Sequence, residues 1–276
     1  MIALAVGLGI FITRKFKLGW KLFWIGGAVF IVSQVFHIPF NLAVLNPLLG
    51  SVKIAKLDGV LTSAVTAIML GLSAGLFEEG ARYWMYCWWV RGARTWKEGL
   101  LLGAGHGGME AMILGVLVLA TFVQMVALRG TDLSTVVSAD QLELAQQQMN
   151  AYWSVKWYDS LLGAFERAFA LPCQIAFSIL VLQVFTRRQA RWFFLAVGWH
   201  TVVDAVAVFA VGRWGYYLTE ALIGIMAVLS VMIIFRLRIE KPEVAMLDVR
   251  PEQPLAQLDL PEIEVTPENL DKTRYE

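Results

Sequence analysis

Cysteine is nearly absent. Only Cys87 and Cys173 occur, both inside apolar stretches, so neither a disulfide framework nor a Cys-based zinc site can be built. Charge is sparse as well: 16% of residues are Asp, Glu, Lys or Arg, where a soluble domain carries roughly a quarter. Histidine occurs three times in 276 residues. No G-x-S-x-G, no H-E-x-x-H, no Gly-rich phosphate loop, no nucleic-acid motif and no internal repeat is present. Those absences set aside the serine-hydrolase elbow, the common zinc-protease helix, nucleotide-driven machines and nucleic-acid partners.

What remains is apolar. The chain is 58% hydrophobic with a mean hydropathy of +0.62, as expected of an all-α, polytopic membrane bundle in contact with the lipid bilayer. Eleven tryptophans, among them Trp84, Trp88, Trp89, Trp96, Trp153 and Trp157 near segment ends, suit an interfacial belt. Seven spans are predicted near 1–13, 20–45, 59–90, 99–128, 157–185, 192–212 and 214–235, at the length of about 20 residues that a bilayer requires, the first one short. The third exceeds that length and contains Gly71, Gly75 and Gly80, so a break or a projection beyond the bilayer is expected there.

Lysine and arginine alternate between segment ends. Thirteen, in four groups from Arg14 to Lys21, Arg91 to Lys97, Arg187 to Arg191 and Arg236 to Lys241, oppose five: Lys53, Lys56, Arg129, Lys156 and Arg213. The positive-inside rule then places the N-terminus outside and the C-terminus in the cytoplasm, and a compact chain of this kind suits a prokaryotic inner membrane. Residues 1–239 form the expected bundle. On its outer side an interfacial amphipathic helix is expected near 138–153, with Ser138 and Gln141 spaced like a capping box. The tail, 240–276, holds ten acidic and four basic residues and five of the eight prolines, a composition that favours disorder.

Three of the apolar segments carry groups that hydrocarbon should not tolerate: Glu78-Glu79-x-x-Arg82, His106-x-x-x-Glu110 and His200-x-x-x-Asp204. The i,i+4 spacing puts each set on one helix face, and an ionisable residue within a span is read as functional by default. Counted from the basic ends, all seven lie roughly 10–18 Å deep at 1.5 Å per residue. That agreement implies one polar cavity, opening toward the cytosol. A second polar level, His37 and Glu166-Arg167, lies nearer the other side and reads as structural support, with substrate entry as the lesser alternative.

The chemistry follows from the imbalance of charge. Two adjacent glutamates cannot both be neutralised by Arg82, so one pairs with it and the other is left in the range of a general base or acid. His106 and His200 can stabilise an oxyanion, hold a water or bind a metal. Ser63, Ser73 and Ser178 have no histidine four residues away, which favours water as nucleophile. His106, Glu110, His200 and Asp204 would offer zinc or another divalent metal a His/His/carboxylate set, although no spacing demands one. A proton- or ion-coupled transporter would also place carboxylates and histidine at mid-depth.

These motifs resemble those of the glutamate-type intramembrane proteases, a superfamily of CAAX-prenyl endopeptidases with their bacteriocin-immunity relatives, PrsW site-1 proteases and the YhfC family. Glu78-Glu79-x-x-Arg82 is similar to the PrsW E-E-x-x-K motif with Arg for Lys, and His200-x-x-x-Asp204 to the third superfamily motif. The middle motif departs, with Leu102 four residues before His106 and His106 four before Glu110. Gly103-Ala-Gly-His106-Gly-Gly-Met-Glu110-Ala, with Glu166-Arg167, looks most like YhfC. The resemblance covers most of residues 20–235. It implies a helical intramembrane peptidase acting on a membrane protein or lipidated peptide, with Glu78, Glu79, Arg82, His106, Glu110, His200 and Asp204 at the site, and a metal. The same superfamily contains the scaffold subunit of gamma-secretase, held to be non-catalytic, which keeps a scaffold role open.

Overall fold

A chain crossing hydrocarbon must satisfy its backbone internally, and helices do so. The computed structural model describes residues 1–51 and 58–238, which contain helices and no strand. Lys53, Lys56 and the tail expected from residue 240 lie outside the described residues.

Helix α1 (Ile2–Phe16) has 15 residues, about 22 Å at 1.5 Å per residue and short of a hydrocarbon core of about 30 Å. It stops where Lys17 turns left-handed at φ 53° and Leu18 N–H bonds back to the Thr13 carbonyl. Among the described residues, six stretches are long and apolar enough to cross a bilayer, the first being Lys21–Leu49; α1, expected as a short seventh, is below that length. It comprises α2 (Lys21–Phe40), a π-helical turn (Asn41–Leu45) and α3 (Asn46–Leu49). Pro39 lies just ahead of the π turn; it lacks an N–H and crowds the preceding turn, which loosens the helical ladder there.

Helix α4 (Gly59–Trp88) is 30 residues long and unbroken. Asp58 caps it, accepting from the N–H groups of Val60 and Leu61 at 2.8 Å. Two of the three glycines expected to break it, Gly71 and Gly75, serve α8 (Arg191–Trp214) instead. A Cβ on Gly71 would stand 2.7 Å from the Thr201 carbonyl oxygen, and one on Gly75 2.9 Å from that of Val197. Small residues four apart thus bring the two backbones into contact.

Helix α5 (Trp96–Leu128) begins with a true capping box between Thr95 and Glu98. A Cβ on Gly105 would strike the Phe23 carbonyl on α2, while Gly103 and Gly107 meet Ile175 and Gln174 of α7 (Leu162–Thr186). His106 is held between these two backbone contacts. Helix α6 (Leu142–Ser154) forms where an interfacial helix was expected, with no buried residue. Its capping box does not form: Gln141 is itself the N-cap, without a side-chain bond. Only Gly215, at φ 76°, separates α8 from α9 (Tyr216–Arg236), a backbone region that glycine alone enters without strain.

Helices α2, α4, α8, α7 and α5 pack in sequence around a ring, with α1 laid on α5 and α9 on α7 and α8. At the end rich in Arg and Lys the ring is filled by Tyr86, Leu101, Leu102, Ile179 and Leu182, all buried. Large apolar side chains such as Phe36, Leu117, Phe194 and Met232 cover the outside, as in a body solvated by lipid.

Candidate active site

The i,i+4 sets converge inside the ring. On α4, Glu78 and Glu79 point to its centre, because the glycine contacts below them press α4 against α8. Glu79 is completely buried; it accepts from Arg82 one turn on, and its Oε1 lies 2.8 Å from His200 Nδ1. Phe177 stacks on the His200 ring at 4.3 Å and fixes its plane. With Nδ1 held by Glu79, the ring presents Nε2 to Glu78 Oε2 at 3.9 Å and to Asp204 Oδ2 at 3.4 Å.

Glu78 stands between the two imidazoles. Its Oε2 is 3.1 Å from His106 Nε2, and its Oε1 accepts from Gln34 Nε2 at 3.1 Å. Phe30 holds the His106 ring edge-on at 5.3 Å. Of the buried polar atoms without a hydrogen-bond partner among the described residues, three belong to this cluster: His106 Nδ1, Glu79 Oε2 and Arg82 Nε. Such groups are rare in a finished interior and call for a functional explanation.

Glu110, expected beside His106 in the ligand set, is committed elsewhere. Its Oε1 accepts from Arg167 at 2.5 Å and its Oε2 from Gln174 Nε2 at 3.0 Å. Arg167 also bonds Glu166, and Gln174 Oε1 accepts from Arg82. The two polar levels are therefore joined by Gln174, which donates to one and accepts from the other. His37 stays outside: Asn41 donates to it at 2.9 Å, Ser73 donates to Asn41 at 2.7 Å, and Phe77 stacks on its ring.

Accessibility runs opposite to the expected cytosolic opening. Side-chain exposure is 0% at Glu79 and 1% at Arg82, and reaches 36% at Asp204 and 42% at Glu166. The aromatic and aliphatic plug closes the basic end, and the polar groups become accessible away from it. Depth counting places residues along an axis; it carries no information on which end the neighbouring helices fill.

Among the described residues, no three His, Cys, Asp or Glu side chains form a group ready to hold a metal ion. The donor chemistry nonetheless fits one. Five carboxylates (Glu78, Glu79, Asp204, Glu110 and Glu166) face two guanidiniums, Arg82 and Arg167, an excess of negative charge that a buried cation offsets. His200 presents Nε2 with Nδ1 held by a carboxylate, the outer-shell arrangement that orients metal-bound histidine. Asp204 Oδ2 stands 3.4 Å from His200 Nε2, so the two could serve together as donors.

A bundle apolar outside, with its ionisable groups turned inward, defines an integral membrane protein. The chain belongs to the YhfC family: the family model described as YhfC intramembrane metalloprotease matches residues 1–227. A relative from Bacillus subtilis (strain 168), described as uncharacterized membrane protein YhfC, is 29% identical over 208 residues, covering 74% of this chain and 79% of its own. No solved structure matches.

Proposed function

We propose that this chain is an intramembrane peptidase whose Glu78 activates the water that attacks a peptide carbonyl. The observation that carries this reading is the direction of Glu78 Oε2, which faces Nε2 of His106 at 3.1 Å and of His200 at 3.9 Å inside a ring closed at its basic end by apolar side chains. A carboxylate so placed accepts the proton of water and returns it to the departing amine. Glu79 holds the His200 tautomer, Arg82 neutralises Glu79, and the histidines support the oxyanion or bind metal. His106, His200 and Asp204 would hold the metal that the family description implies. Bound there, zinc or another divalent cation supplies Lewis acidity for the carbonyl and acidifies water.

The substrate class we assign is a membrane protein or lipidated peptide, and the compartment a prokaryotic inner membrane, with the N-terminus outside and the C-terminus cytoplasmic by the charge bias. Kinship with the PrsW and CAAX-protease superfamily rests on the three motifs. In proteoliposomes with a reporter peptide, Glu78→Gln should remove at least about 10²-fold of the cleavage rate while leaving bound metal in place. Cleavage at an unchanged rate would end the proposal.

A second reading has one observation in its favour. Hydrogen bonds run without a gap from His200 through Glu79, Arg82, Gln174, Glu110 and Arg167 to Glu166, a path along the bundle and not a single level. A transporter that takes up a proton on its carboxylates or histidines would hold them in such a network, with Arg82, Gln174 and Arg167 as fixed partners and not as relays. It predicts proton flux across liposomes and no peptide cleavage.

A further inference from the structure

On the far side of α5 and α7 from the polar ring, a groove of about 630 Å³ runs between α1 and α9. Its floor is made by Leu100, Leu171 and Ile175, all buried. Its size falls within the range of ligand pockets, roughly 300–1,000 Å³. The two charged groups of its lining, Lys15 and Arg238, stand together at one end. Along α1 the lining extends from Ala3 to Lys15, a rise of about 18 Å at 1.5 Å per residue. That is close to one leaflet of a hydrocarbon core of about 30 Å.

The charged end is more basic than its lining. Lys15 and Lys97 lie over the same Phe16 ring at 5.8 and 5.7 Å, and Arg238 lies over Trp96 at 5.2 Å. The Phe16 and Trp96 rings are themselves 6.0 Å apart. Three cations thus stand on one aromatic pair. Among the described residues no carboxylate pairs with Lys15 or Lys97. Lys15 and Lys97, over one ring, are like charges that an anion stabilises, and the lining of the trench that leads from them is mostly apolar.

We propose that the groove is a binding site for an anionic phospholipid, with one acyl chain along the face of α1 and the phosphate among Lys15, Lys97 and Arg238. Basic clusters at the ends of membrane helices recognise acidic headgroups by this electrostatic route. The groove supplies what surrounding lipid does not, a trench one leaflet long ending in fixed positive charge. The site is separate from the polar ring and does not depend on the chemistry proposed there.

The test uses the full chain, offered equal amounts of phosphatidylglycerol and phosphatidylcholine in detergent, with retained lipid counted by native mass spectrometry. One phosphatidylglycerol per protein should be retained, with a preference of at least about tenfold. Lys15→Gln combined with Lys97→Gln and Arg238→Gln should erase that preference. Gly7→Phe keeps every charge and places a ring in the groove, where a Cβ on Gly7 meets nothing within 4 Å; it should abolish retention. Equal retention of the two lipids by the unaltered protein, undiminished preference in the triple variant, or full retention in Gly7→Phe would each overturn the proposal.

Discussion

Nδ1 of His200 stands 2.8 Å from Oε1 of Glu79, and this contact leaves Nε2 as the nitrogen that faces Glu78 and Asp204. Glu79 has no exposed surface and a second oxygen without a partner, so its role is to orient the neighbouring ring and not to meet substrate. Arg82 and His200 share Oε1 of Glu79, so Glu79→Gln keeps that acceptor but removes the charge that holds both and puts an N–H₂ where Oε2 has no partner. Loss of such an outer-shell carboxylate costs about 10–100-fold in activity or metal affinity. Steady-state cleavage of a reporter should show that loss, smaller than the one from Glu78→Gln.

Arg82 is the one Lys or Arg among the described residues that pairs with Glu78 and Glu79, and it is buried. Arg82→Met leaves Glu79 charged without its partner, and breaking a buried pair from one side costs about 3–5 kcal/mol. Arg82→Lys keeps the charge while losing the guanidinium fork that reaches both Glu79 and Gln174, so its cost should fall in between. Unfolding by denaturant titration in mixed micelles would read this order, Met below Lys below the unaltered protein.

Metal retention separates the two carboxylates that follow the histidines by four residues. Asp204 is 3.4 Å from His200 Nε2, whereas both oxygens of Glu110 are taken by Arg167 and Gln174. His106→Ala, His200→Ala and Asp204→Asn should each lower bound zinc, measured by elemental analysis after dialysis, and Glu110→Gln should leave it unchanged. Chelation should stop cleavage, and zinc added back should restore it.

Gly75 and Gly80 make a matched pair on one helix. A Cβ on Gly75 would meet the Val197 carbonyl oxygen at 2.9 Å, and one on Gly80 would meet nothing within 4 Å. Gly75→Ala should destabilise by about 1–3 kcal/mol through overpacking and reduce activity by moving α4 off α8. Gly80→Ala should stabilise by about 0.5–1 kcal/mol through lower chain entropy. Thermal unfolding of the two variants in the same detergent gives the comparison.

The site was legible to the extent that helix geometry dictates it. Spacing of four put Glu78 with Arg82 and His200 with Asp204 on shared faces, and equal depth brought α4, α5 and α8 together. Spacing could not separate Glu110 from His106, because a pair on one face can still turn to different neighbours. Gln34, Gln174 and Phe177 went unread: they carry no charge, and a glutamine in an apolar run gives a weak signal until its partners are known. A signal did exist for the close contacts, since Gly71 and Gly75, and Gly103 and Gly107, repeat at four. Apolar composition marked α1 as a short first span, and its 15 residues, laid against α5, are fewer than those of the six stretches long enough to cross. The direction of opening depended on Tyr86, Leu101 and Leu182, ordinary residues that form a plug only in three dimensions.

Gln174 offers the sharpest test of how the polar groups cooperate. Its Oε1 accepts from Arg82 and its Nε2 donates to Glu110 at 3.0 Å, so it serves two charged networks with opposite polarity. Gln174→Leu removes both bonds and leaves a buried guanidinium N–H unsatisfied, at a cost of about 1–3 kcal/mol. Gln174→Glu still accepts from Arg82 but sets a second carboxylate against Glu110, where like charges repel. If the two networks act as one, Gln174→Leu should lower cleavage without releasing metal, and adding Glu110→Gln should cost less than the sum of the single effects. Additivity in that double-mutant cycle would mean that the networks are independent.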